Sequence, residues 1–207
     1  MSKSVYLEEF MEPTWRNLRN FLALCWVLLI FALPAWGAEF SALMVVKDGS
    51  NTVPGKVYVR DGLMRQEFRD AGGETVTIVR PDKKVIWVII PRQRTYLEMP
   101  LTKKLPGQFI QIPPQALQKR PVGKDTVSGY ETEKVAVMVP GGGNLESQTY
   151  WVALKLGLPV KMECRQRNFS LEYRSIKEET VADWRFDLPP GYQKLTTLAG
   201  FADKVEE

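Results

Sequence analysis

The residues that could do chemistry are few and scattered. The chain contains no histidine, which removes Ser–His–Asp triads, imidazole metal ligands and histidine general bases together. Glu67, Glu98, Glu131, Glu133, Glu163 and Glu172 fall on extended segments, mostly at outward parity, and no spacing pairs them for acid–base work. Cys164 has Arg165 beside it, and a neighbouring cation lowers a thiol pKa, but no base accompanies it. Gly141-Gly142-Gly143 precedes no helical pattern and lacks a lysine partner, so it reads as a hairpin tip and not a phosphate cradle. No catalytic residue, metal site or cofactor is expected, and the chain is expected not to be an enzyme.

What remains is binding through apolar surface. Met44, Met64, Phe68, Ile78, Trp87, Ile89, Tyr96, Met99, Trp151 and Met162 all lie on strand patterns. Methionine adapts to irregular apolar ligands, and ligand pockets are lined mostly by such side chains. These ten are the candidate lining of a ligand cavity; an ordinary packed core uses the same residue types. Arg92, Arg94, Lys103 and Lys104 flank a loop and could meet an anionic headgroup or an acidic partner surface, or simply keep that loop soluble.

The elements that must position these residues are short strands. Phe40 to Lys47 is followed by Lys56 to Arg60, then Asp61-Gly62, a two-residue hairpin signal. Leu63 to Arg69 alternates, with Met64, Gln66 and Phe68 on one face. Glu74 to Arg80 puts Val76 and Ile78 on one side. Val85 to Ile90 (VIWVII) is apolar on both faces, as a strand covered on both sides must be. Thr95 to Met99 completes an antiparallel meander. Pro100 to Pro121 has several prolines and no period of two, with a short helical turn expected at Ala116 to Lys119. Strands resume at Thr132 to Val139, Ser147 to Leu154, Pro159 to Arg165 and Phe169 to Ile176. Leu188-Pro189-Pro190-Gly191-Tyr192 reads as a late turn. The expected fold class is mainly β: one curved antiparallel sheet or open β-barrel of about ten strands with short capping helical turns.

The chain has 207 residues, enough for one domain and a targeting segment. Phe21 to Leu33 is an uncharged apolar run of about 13 residues, the length of a signal-peptide core and short for a membrane span. Arg16 and Arg19 precede it, Pro34 ends it, and Ala35-Trp36-Gly37 supplies small residues for cleavage before Ala38. The expected division is a leader over 1–37, with Met11 as an alternative start, and a single domain over 38–207. Leu22-Ala23-Leu24-Cys25 resembles a lipoprotein box only superficially, because it opens the apolar run. Without the leader Cys164 has no cysteine to pair with, so a hydrophobic core must hold the domain. The net charge is +4; the leader's charges cancel, and no basic cluster suggests nucleic acid.

Several segments together carry a resemblance. They include Phe40-Ser41-Ala42-Leu43-Met44-Val45-Val46, Ile78-Val79-Arg80-Pro81-Asp82-Lys83 and Thr95-Tyr96-Leu97-Glu98-Met99-Pro100. Val127-Ser128-Gly129-Tyr130-Glu131-Thr132, Gly157-Leu158-Pro159-Val160-Lys161-Met162 and Phe186-Asp187-Leu188-Pro189-Pro190-Gly191-Tyr192 follow. In this order they resemble a family of exported bacterial proteins related to the LolA/LolB lipoprotein carriers, whose fold RseB-type envelope-stress sensors share. The resemblance spans about residues 40 to 195. It implies an open β-barrel in the periplasm, with an apolar cavity on the concave sheet face that takes acyl chains of lipids or lipoproteins. An envelope protein partner for a sensing module is the alternative. No functional residue, including the arginine that governs release in LolA, is carried over onto this sequence.

Overall fold

The computed structural model describes residues 37–70, 72–101, 110–141 and 144–196. The expected leader lies outside them, apart from Gly37. Twelve strands form one curved, unclosed sheet. They are β1 Glu39–Asp48, β2 Asn51–Arg60, β3 Leu63–Asp70, β4 Gly73–Arg80, β5 Val85–Ile90 and β6 Thr95–Pro100. Then come β7 Leu117–Val127, β8 Tyr130–Gly141, β9 Asn144–Ala153, β10 Leu158–Cys164, β11 Phe169–Lys177 and β12 Gln193–Leu195.

Two local meanders, β1 to β6 and β7 to β11, are joined where β1 pairs antiparallel with β11 and Met44 stands opposite Tyr173. Every neighbour within a meander follows in sequence, so short turns set the register. Asp61 and Gly62 both take positive φ, 49° and 82°, which is what a two-residue turn between right-twisted strands needs. Ser128 and Gly129 repeat this between β7 and β8.

The fold class is as expected, one curved, mainly antiparallel sheet, here of twelve strands; two local details differ. The expected helical turn at Ala116 to Lys119 gives way to β7, exposed at every position up to Val127. Exposed on both faces, β7 has no period of two to read; Pro121, two register shifts, Lys119, Arg120 and Lys124 suit it to a sheet edge. The other edge is not antiparallel: β12 pairs parallel with β6, Gln193 opposite Thr95.

Cross-strand partners share a face, so the pairings define two faces. One row runs Phe40, Val59, Met64, Val79, Ile86, Met99 across β1 to β6; Val46, Leu171, Met162, Tyr150 and Val135 continue that face into the second meander. This core face carries the main hydrophobic cluster. The back face carries the row Leu43, Lys56, Glu67, Val76, Ile89, Tyr96. Over β4 and β5 a second cluster forms there, roofed by Val181 and Phe186. Val85 to Ile90 is thus packed from both sides, as its composition requires.

Candidate functional site

The pairings divide the ten candidate cavity residues between the two faces. Met44, Met64, Phe68, Met99 and Met162 are on the core face. Ile78, Trp87, Ile89, Tyr96 and Trp151 are on the back face. All ten therefore cannot line one cavity.

On the core face the centre is filled. Phe40, Met44, Leu171 and Tyr173 are fully buried, and Tyr150 nearly so. Ile110 is buried on this cluster, with Ile112 and Ala116 packed beside it. The segment leading into β7 therefore occupies space that a concave sheet would otherwise offer. Buried Gln66 donates to the Met44 sulfur at 3.3 Å. The Tyr173 phenol lies near the Ile110 backbone and the Gln66 amide, and burial pushes its pKa up. Toward β5 and β6 the filling thins: Met64, Val88, Met99 and Leu101 are only half-buried around buried Val79 and Ile86.

On the back face a C-terminal strap crosses β1 to β5. Val181 and Phe186 are buried, and the strap makes one 3₁₀ turn at Asp183–Phe186. Three arginines on successive strands donate to its carbonyls: Arg60 to Val181 at 2.6 Å, Arg65 to Arg185 at 3.0 Å and Arg80 to Phe186 at 2.9 Å. Arg60 also pairs with Asp183, and Glu39 accepts from the Val181 N–H at 2.7 Å. Arg80 holds Asp82 and Asp187 at 2.7 and 2.6 Å, and this guanidinium lowers the Asp82 carboxyl to about 2. Trp184 stands out of the strap with Arg185 over its ring.

Both back-face tryptophans are anchored alike. Trp87 donates to Glu98 at 2.9 Å, and Lys194 sits 2.6 Å from the same carboxylate. The lysine, then the indole, hold Glu98 below its ordinary pKa. Trp151 donates to Asp125 at 3.1 Å, with Lys134 3.5 Å away; the indole hydrogen bond is the main cause of a lowered Asp125 pKa. Charge also meets the ring faces, with Lys83 5.2 Å from the Trp87 centroid and Lys161 4.4 Å from that of Trp151. No group of three or more metal-ligating side chains occurs among the described residues.

Beyond the strap the back face opens into a groove of about 350 Å³ over β1 to β4. Leu43, half exposed, and Pro54 form its apolar part, and the backbone around Gly55 and Phe68 its floor. A side chain at Gly55 would meet the Glu67 carbonyl at 2.9 Å. Glu67 is taken by Arg65 at 2.7 Å, and Arg69 and Glu74 pair at 3.0 Å. Lys56 has no ion-pair partner among the described residues. Of the ten candidate cavity residues only Phe68 lines this groove; the rest of it comes from residues on four strands whose common feature is register. Of the four loop cations, Arg92 and Arg94 are exposed beside the turn at Pro91–Gln93, and Lys103 and Lys104 lie outside the described residues.

No protein-family model matches this chain, and no curated protein matches it in sequence. Solved structures do match in fold. An uncharacterized conserved protein from Thermus thermophilus aligns with a TM-score of 0.56 at 13% identity, over 84% of this chain and 98% of that one. MucB in the Pseudomonas aeruginosa MucA/MucB complex aligns with a TM-score of 0.50 at 15% identity, over 77% of this chain. The match spans 58% of the MucB chain. At these identities the likeness is one of fold, and the fold is LolA/LolB-like. No helix among the described residues is long and apolar enough to cross a membrane.

Proposed function

We propose that this chain is a non-catalytic binding protein of the cell envelope, exported through its 1–37 leader, that engages a protein partner at its surface. The observation that carries this reading is the filled core face. Phe40, Met44, Leu171 and Tyr173 leave no exposed surface at its centre, and Ile110 is seated against them. A carrier that encloses an acyl chain needs an apolar space in which each methylene gains about 0.8 kcal/mol on burial. Opening this packed centre would forfeit contacts of similar size. The fold shared with MucB, solved in complex with MucA, supports a protein partner as the ligand class. A non-catalytic role is supported by the carboxylates with shifted pKa: Asp82, Glu98, Asp125 and Glu178 are each held low by separate neighbours.

A second reading, a carrier for lipid or lipidated protein, is favoured by one observation. Met64, Val88, Met99 and Leu101 form a half-buried apolar patch at the β5–β6 end of the core face. Native mass spectrometry of the mature protein purified from the envelope, followed by organic extraction, separates the two. The partner-binding reading expects the protein mass without acyl species and no uptake of added lipopeptide. A stoichiometric co-purifying lipid would overturn it in favour of the carrier.

A further inference from the structure

We propose that the back-face groove over β1 to β4 docks an acidic, apolar peptide segment of a partner protein. Its carboxylate would sit on Lys56 and an adjacent apolar side chain over Leu43 and Pro54. This rests on the partner-binding reading above and gives that reading a place and a chemistry.

The charge balance of the groove carries the inference. Three of its four charged residues are already neutralised: Glu67 by Arg65, and Arg69 and Glu74 by each other. Lys56 stands directly between Leu43 and Glu67 in the cross-strand row, yet the Glu67 carboxylate is turned to Arg65. One uncompensated ammonium therefore adjoins an apolar surface, and it is complementary to a single anion on an apolar body. A cationic ligand would meet this ammonium and find every carboxylate already engaged.

Size and position agree with a peptide. A space of about 350 Å³ lies at the lower end of the range for ligand sites, suited to one or two side chains and not to a lipid tail pair. The strap stops short of it: its contacts with β1 are at Glu39 and Ser41, and Leu43, next on that face, is left 50% exposed. The surface is preformed, because Gly55 and Phe68 lie in paired strands.

The test is a ¹⁵N NMR titration of the mature protein. The probe is the peptide acetyl-Asp-Leu-Glu-Phe-Glu-Leu-amide, with its Asn/Gln counterpart as the neutral control and sodium decanoate as the lipid comparison. The acidic peptide is expected to shift the amides of Leu43, Gly55, Lys56 and Glu67. Lys56→Ala is expected to weaken binding about threefold, the scale of one exposed charge pair, and Lys56→Glu to weaken it further. Leu43→Ser is expected to cost about fivefold through lost apolar contact. Lys56 and Leu43 are exposed, so these variants keep the fold, which their unshifted distant amides will verify. Equal binding by Lys56→Glu, no binding of the acidic peptide, or groove shifts produced by decanoate and not by the peptide would each overturn the proposal. Shifts mapping elsewhere on the sheet would overturn this docking site and leave the partner-binding reading to its own mass-spectrometric test.

Discussion

Trp87 and Trp151 occupy comparable places on the back face, one in each meander, but different material covers them. Each gives its indole N–H to a carboxylate that a lysine neutralises. Trp87 clusters with Val181 and Phe186 of the strap and with Val76, Ile78 and Ile89, and Lys83 and Arg80 also lie over its ring. Trp151 belongs to the main hydrophobic cluster and no strap residue joins it there; Lys134 and Lys161 lie over its ring, shielding it while keeping their charge in water. The first meander is therefore covered on part of its back face by chain from far along the sequence. The second is a one-sided sheet with a polar exterior, the ordinary antiparallel solution. Covering by a strap costs chain length and arginine contacts, and it ends abruptly. The groove lies where it ends.

This contrast can be broken from either side. Truncating the strap anchor, Phe186→Ala, is expected to cost about 3–5 kcal/mol of stability, as for a fully buried aromatic; chemical denaturation measures it. A cost below about 1 kcal/mol would mean that the strap is not a packed cover of the first meander. Arg80→Ala removes hydrogen bonds to the Phe186 carbonyl and to Asp82 and Asp187. It is expected to cost about 2 kcal/mol and to increase proteolysis within residues 180–190. Lys161→Ala in the second meander is expected to stay within about 1 kcal/mol while shifting tryptophan emission to the red, because Trp151 gains water.

The smallest expected effect is acid sensitivity. Asp82 is held at about 2 by Arg80, below its ordinary 3.8. A carboxylate with a depressed folded pKa stabilises the fold above its unfolded pKa and loses that contribution as pH falls through the folded one. Stability should therefore decline between about pH 4 and pH 2, and Asp82→Asn should flatten that decline. At the alkaline end Tyr130 is pushed up to about 12, by burial first and Glu178 second. Its neutral form stabilises the fold below the ordinary tyrosine pKa, and that contribution is lost as pH rises toward about 12. Phenolate absorbance should show Tyr130 titrating late.

Most of the strand pattern was legible because local turns write it. Asp61-Gly62 set the β2–β3 register, and VIWVII announced a strand covered twice. The strap was not legible. Val181, Phe186 and Leu188 follow neither strand nor helix spacing, and the arginines that hold the strap are more than 100 residues away. β7 hid for the opposite reason, since exposure on both faces imposes no period. The division of the ten candidate residues between faces was implicit in the hairpin register. Arg60 opposite Leu63 puts Met64 beside Val59, and continuing through β4 and β5 sends Ile78 and Trp87 to the other side. The groove depends on which of several neighbouring charges pair, and spacing along the chain does not reveal that.

The central claim, a filled core face in the sheet's middle, is tested most directly by methyl NMR of the methionines with a spin-labelled fatty acid. Met44 and Met162 are buried at that centre, whereas Met64 and Met99 are half-buried toward β5 and β6. The filled core predicts that the Met44 and Met162 methyl signals stay sharp when the fatty acid is added, whatever happens at Met64 and Met99. Broadening of Met44 and Met162 at stoichiometric fatty acid would put an acyl chain inside the sheet and contradict the account.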